Sequence, residues 1–248
     1  MKSAIFIASF LIFFGNCVSA QFVGDGGAKQ TSTPASVKQK PAFIIKYGLA
    51  MPLSSFGTVP TKAAASQFTN GLMGAKTGFF IEAGLGLNFT KPDKMVGFYY
   101  FPLMASYWKT SLDWSKLGGI FTDKAIYTKP VSAIDIGQRY GVVVKPIEDL
   151  SIAVYYRPGL IVPFDFEINS KSGPYLFSGT MAIGSKAPVL VLSSTPGLTV
   201  KYKIFVMSLE GYFVKPTYTV TYTDVVPGPT KTGKIPIKMF VASLGLCF

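Results

Sequence analysis

Residues 240–248, FVASLGLCF, alternate between two kinds of side chain and end on an aromatic. Phe240, Ala242, Leu244, Leu246 and Phe248 share one parity, while Met239, Val241, Ser243, Gly245 and Cys247 share the other. A period of two puts these sets on opposite faces of a β-strand, one greasy and one built largely of smaller residues.

The same pattern recurs upstream. Phe43, Ile45, Tyr47, Leu49 and Met51 alternate with Lys46, Gly48 and Ala50. In a second strand, Phe79, Ile81, Ala83, Leu85, Leu87 and Phe89 oppose Phe80, Glu82, Gly84, Gly86 and Asn88. A third is expected over 96–108, less regular around Pro102. The fourth sets Ile134, Ile136, Tyr140, Val142 and Val144 against Asp135, Gly137, Arg139 and Gly141, with Gln138 falling on the apolar parity. The fifth, over 151–162, sets Ile152, Val154, Tyr156, Leu160 and Val162 against Ser151, Ala153, Arg157 and Gly159. The sixth is expected over 189–202, the seventh over 205–222 and the eighth from 234 onward.

Connections between these strands alternate in length. Residues 54–76, 110–129, 167–188 and 223–233 form long ones, whereas the turns at 91–94, at 146–149 and near Lys203 are short. Strands of about 10 to 14 residues suffice for a tilted crossing of a hydrocarbon layer. Every backbone N–H and C=O must find an internal partner in lipid. The expected fold class is therefore all-β: an eight-stranded antiparallel up-and-down transmembrane β-barrel over 41–248.

Lys2, the apolar stretch 4–14 and the small residues Val18, Ser19 and Ala20 read as a secretory signal over 1–20, cut between Ala20 and Gln21. Lipidation at Cys17 is the competing reading, against which Phe14, Gly15 and Asn16 make a poor lipobox. Residues 21–40 are rich in Gly, Ser, Thr, Gln and Lys and are expected to form a flexible lead-in. Removal of the signal leaves Cys247 alone, which allows no internal disulfide.

Charged residues make up 15% of the chain, against about 25% in soluble domains. The net charge of +12 is spread along the sequence, so neither a basic face nor a nucleic-acid module is present. Anionic head groups at a membrane rim are the better use for it. Lys109, Lys116, Lys124, Lys129, Lys171 and Lys186 in or beside the long connections are the candidates for bridging lipopolysaccharide phosphates.

An eight-stranded bore is just wide enough to be filled by side chains. The inward parity carries Lys46, Glu82, Asp135, Arg139, Arg157, Lys201 and Glu210. Charges in a dry lumen need partners, so these seven are expected to form an ion-pair network that plugs the bore. A gated or narrow conductance is the alternative. The chain has no histidine, which excludes a Ser-His-acid triad and His-assisted acyl transfer. Asp165 and Glu167 could pair for acid–base work but read as solvated rim residues. No cofactor motif or metal-ligand pattern is present, and a non-enzymatic protein is expected.

The stretches Lys46-Tyr47-Gly48-Leu49-Ala50-Met51-Pro52 and Leu209-Glu210-Gly211-Tyr212-Phe213, with the aromatic ending, resemble a known family over about residues 41–248. These are the small eight-stranded outer-membrane β-barrel proteins of Gram-negative bacteria, the OmpA-type transmembrane domain and its porin-like relatives. The resemblance implies a monomer in the bacterial outer membrane, in contact with outer-membrane lipid and lipopolysaccharide. It also implies recognition by the barrel assembly machinery through Phe240, Leu244, Leu246 and Phe248. The chain departs from the larger members in having no peptidoglycan-binding domain after its last strand. The function implied is envelope structure or surface-loop interaction, with a narrow porin-like channel as the alternative. A soluble, secreted, lipocalin-like binding barrel fits less well, because the residues opposite each apolar face would neither line a greasy cup nor cover a wetted outside.

Overall fold

The computed structural model describes residues 41–58, 74–88, 95–111, 126–171, 180–223 and 227–248. The expected signal, its cleavage pair Ala20 and Gln21, and the lead-in 21–40 lie outside these residues, as do Lys116, Lys124 and the 91–94 turn. The first strands are β1 (Pro41–Pro52), β2 (Gly78–Asn88), β3 (Val96–Thr110), β4 (Ile126–Lys129), β5 (Val131–Ile147), β6 (Leu150–Pro163) and β7 (Glu167–Lys171). The chain continues through β8 (Thr180–Lys186), β9 (Val191–Tyr202), β10 (Phe205–Val214), β11 (Thr217–Thr223), β12 (Pro227–Lys234) and β13 (Ile237–Cys247).

Eight of these strands, β1, β2, β3, β5, β6, β9, β10 and β13, close in that order into an antiparallel barrel, with β13 returning to β1. The seam is sealed by reciprocal bonds: the Phe43 N–H donates to the Phe248 carbonyl at 3.0 Å, and the Phe248 N–H to the Phe43 carbonyl at 2.8 Å. Both termini of the barrel thus lie at the end that carries the short turns. One of these is the two-residue turn Lys203-Ile204 between paired Tyr202 and Phe205.

Alternation along each strand sorts the side chains. In β1, Phe43, Ile45, Tyr47 and Leu49 are 40% to 70% exposed, whereas Ile44, Lys46 and Ala50 are buried. The inner parity carries buried charged and polar groups among apolar ones, while the outer parity is dominated by large exposed apolar residues, whereas a water-soluble barrel turns polar groups outward. Gln138 takes the outer parity of β5 and is half-buried there. The irregularity expected at Pro102 is a register shift between Phe101 and Met104 in the β3–β5 pairing. Proline cannot donate to the ladder, and the extra residue keeps both Phe101 and Met104 inside.

A second sheet of five strands, in the order β12-β11-β8-β7-β4, stands at the end opposite the termini. Each of its strands continues a barrel strand across a short break, and each break contains or adjoins a proline: Pro130, Pro163, Pro188, Pro216 and Pro236. A missing N–H at these points interrupts the ladder and lets the strand change direction. Burial parity nevertheless runs through the break after β10, where Val214, Pro216, Tyr218 and Val220 are all buried.

This sheet corrects the sequence reading in three places. The connections expected over 110–129, 167–188 and 223–233 contain β4, β7, β8 and most of β12, rather than loop alone. The seventh strand expected over 205–222 is two strands, β10 and β11, parted at Lys215-Pro216. The eighth begins at Ile237 after Pro236 and not at Lys234. Strands of the second sheet lack the long apolar parity of the barrel, the pattern that marks a strand in the sequence.

Candidate functional site

The lumen is stratified along the barrel axis. Facing registers build its middle: Lys46 of β1 lies opposite Glu82 of β2, Glu82 opposite Ser106 of β3, and Ser106 opposite Asp135 of β5. Inward parity adds Arg139, Arg157 and Glu210 from β5, β6 and β10, and all six charged side chains are at most 1% exposed.

These six form a continuous net. Lys46 Nζ lies 2.7 Å from Glu82 Oε1 and 2.6 Å from Glu210 Oε1. Arg139 Nη2 reaches the same two oxygens at 2.6 and 3.2 Å. Arg157 bridges outward, Nη1 to Glu82 Oε2 and Nη2 to Asp135 Oδ2, each at 3.1 Å. Its Nη1 also donates to Ser106 Oγ at 3.2 Å, while Ser193 Oγ donates to Asp135 Oδ1 at 3.0 Å. Three cations thus face three carboxylates and the layer is neutral. Charges removed from water need such matching, since an unpaired one would carry the full desolvation cost.

Apolar clusters close the bore on both sides of this layer. Toward the second sheet, Phe56, Phe80, Trp108, Tyr212 and Met239 lead a buried cluster that extends to Phe166 and Tyr218. Trp108 is wedged edge-on between Phe56 and Tyr212, with ring centroids 6.5 and 5.9 Å apart. Toward the termini, Ile44, Phe101, Met104, Val143, Tyr155, Val206 and Cys247 form the other cluster. Tyr155 joins it to the charge layer: its hydroxyl donates to Glu210 Oε1 at 2.6 Å, and the Arg139 guanidinium lies 4.2 Å from its ring centre. Small residues make room for these large groups. A Cβ on Gly197 would come within 2.6 Å of the Tyr155 hydroxyl, and one on Gly159 would run into the Asp135 carboxylate.

Of the seven residues expected in the lumen network, six meet here. The seventh, Lys201, is half-buried nearer the short-turn end, where its Nζ lies 3.4 Å from Cys247 Sγ. Tyr155, Ser106 and Ser193 were absent from the sequence-based set, although inward parity beside Arg157 would have found Tyr155. Phe240, Leu244 and Phe248 lie exposed on the outer face, with Leu246 half-buried. Lys109, Lys129 and Lys186 are exposed near the rim, and Lys129 Nζ is 3.5 Å from Glu167 Oε2. Asp165 Oδ1 accepts the Ala187 N–H at 2.6 Å, so the supposed acid pair is engaged in local structure. Among the described residues, no three metal-ligating side chains are grouped. Nor is any described helix long and apolar enough to cross a membrane, a test that says nothing about strands.

No protein-family model matches the chain, and no curated protein matches it. Superposition on the crystal structure of a major outer membrane protein from Thermus thermophilus covers 84% of this chain and 99% of that one, at 10% identity and a TM-score of 0.40.

Proposed function

We propose that this chain is a non-enzymatic integral outer-membrane β-barrel, exported through a cleaved signal, whose bore is permanently filled. The observation that carries this reading is a belt of large apolar side chains facing outward around buried charges. Tyr47, Leu85, Leu103, Val154 and Leu244 stand 50% to 70% exposed on the outside, while Lys46, Glu82, Arg139 and Arg157 are at most 1% exposed within. Such an exterior is unfavourable in water and suits a lipid belt.

Among the described residues a neutral charge layer lies between two apolar clusters, which favours an envelope or surface role over a porin-like one. The second sheet then projects from the outer leaflet as the surface-exposed part. It is the natural place for contact with lipopolysaccharide or another partner, and the barrel acts as its monomeric anchor. The test combines two measurements on refolded protein. The folded form is expected to migrate faster than the boiled form in gel electrophoresis and to give no stable conductance in planar bilayers. A detergent-free soluble monomer would overturn the membrane assignment, and a steady pore would overturn the filled bore.

A further inference from the structure

Three of the proline breaks lie side by side, because β9, β10 and β13 are neighbours in the barrel wall. They fall at Pro188, Pro216 and Pro236, and beside them is a surface groove of about 280 Å³ lined by Leu192, Phe213, Val214, Lys215 and Lys238. Its floor is apolar and outward-facing: Leu192 is 76% exposed and Phe213 40%. Lys238 lies directly opposite Phe213 in the β10–β13 register, and Lys215 is the residue that precedes Pro216. Val189 and Leu190, on the Pro188 break next to Leu192, are also exposed, at 80% and 45%.

No carboxylate lines the groove. The two acids of the nearby β6–β7 break are engaged elsewhere, Asp165 with the Ala187 N–H and Glu167 with Lys129. Two ammonium groups beside an apolar step, at the level where the greasy belt ends, match an amphiphile with a negative head and a hydrocarbon tail.

We propose that this groove holds a lipid of the surrounding leaflet whose phosphate head carries net negative charge, its acyl chain along Leu192 and Phe213 and its phosphate between Lys215 and Lys238. This rests on the membrane reading above. The ammonium groups act as point charges on the phosphate oxygens, and no covalent step is involved.

The full chain is reconstituted into nanodiscs of equal parts phosphatidylglycerol and phosphatidylcholine, extracted in mild detergent, and its retained lipids counted by native mass spectrometry. Phosphatidylglycerol is expected to be retained in preference to phosphatidylcholine. Replacing both lysines, Lys215→Gln with Lys238→Gln, is expected to lower that retention about thirtyfold, the effect of two lysines near an anionic surface. Lys215→Arg with Lys238→Arg should preserve it, and Lys203→Gln, in the two-residue turn at the opposite end of the barrel, should leave it unchanged. Equal retention of the two lipids by the unaltered protein, or an equal loss on Lys203→Gln, would overturn the groove while leaving the membrane reading intact. Failure to enter discs at all would overturn both.

Discussion

Lys46 and Glu82 face each other across the β1–β2 register with Nζ 2.7 Å from Oε1, and neither side chain is exposed to solvent. Glu82 also holds Arg139 and Arg157 through its two oxygens. Glu82→Gln therefore strands positive charge in a dry lumen and is expected to cost about 3 to 5 kcal/mol. Urea titration followed by tryptophan fluorescence measures this. A loss below about 1 kcal/mol, the range of solvent-exposed pairs, would mean that water reaches the layer.

Trp108 fills the upper part of the bore between Phe56 and Tyr212. Trp108→Ala is expected to destabilise the barrel by about 3 to 5 kcal/mol through the cavity it leaves. Bilayer recordings of the same variant should stay silent, because the charge layer and the lower cluster still fill the bore. A steady current would make Trp108 the barrier and refute the two-sided closure.

Gly197 gives the Tyr155 phenol its space, and the phenol in turn reaches Glu210 Oε1. Gly197→Ala must displace the far end of that ring and is expected to cost about 1 to 3 kcal/mol. Combining it with Tyr155→Leu, which removes the ring carbons the new Cβ would meet, should recover part of the loss. Additive losses in a double-mutant cycle would show that the two positions do not meet.

Ile136 separates Asp135 from Gly137 along β5 but points outward, 45% exposed, near the middle of the belt. In a bilayer, Ile136→Arg is expected to cost about 2 to 4 kcal/mol, since that depth is hydrocarbon. Folding into detergent and into vesicles distinguishes the cases. A neutral effect in vesicles would argue against a lipid belt.

Tyr218, on β11 outside the barrel, packs against Phe166 with ring centroids 5.4 Å apart. Burial pushes its phenol above the ordinary tyrosine value of 10, and the Asp165 carboxylate adds to the shift. The neutral form is the one that folding favours. Stability from this residue is therefore complete below pH 10 and declines as pH rises from there toward the raised value. Tyr218→Phe is expected to remove that alkaline decline, as read from stability measured across the same range. An unchanged decline would assign it to other groups.

The period-two pattern was enough to identify every barrel strand, because the face a side chain takes depends only on its own backbone. Parity likewise put Lys46, Glu82, Asp135, Arg139, Arg157 and Glu210 inside. Sequence could not say which of them touch: Lys46 and Glu210 are 164 residues apart and meet only after the last strand closes on the first. Nor did it separate Lys201, whose parity matches the others but whose height along the barrel places it beside Cys247. In the second sheet β11 was read as the end of the seventh strand, and β4, β7, β8 and most of β12 fell in expected connections because their apolar alternation is weak, although the prolines that delimit them were in plain view.

What the sequence determined by itself was therefore local: the alternation, the inverted polarity of its two faces, and the number of strands in the barrel. The tertiary structure decided the layering of the bore, the partners of each charge, and the sheet that extends five of the strands. Those features depend on strand register and on closure of the barrel, and both are properties of pairing between distant segments rather than of any one segment.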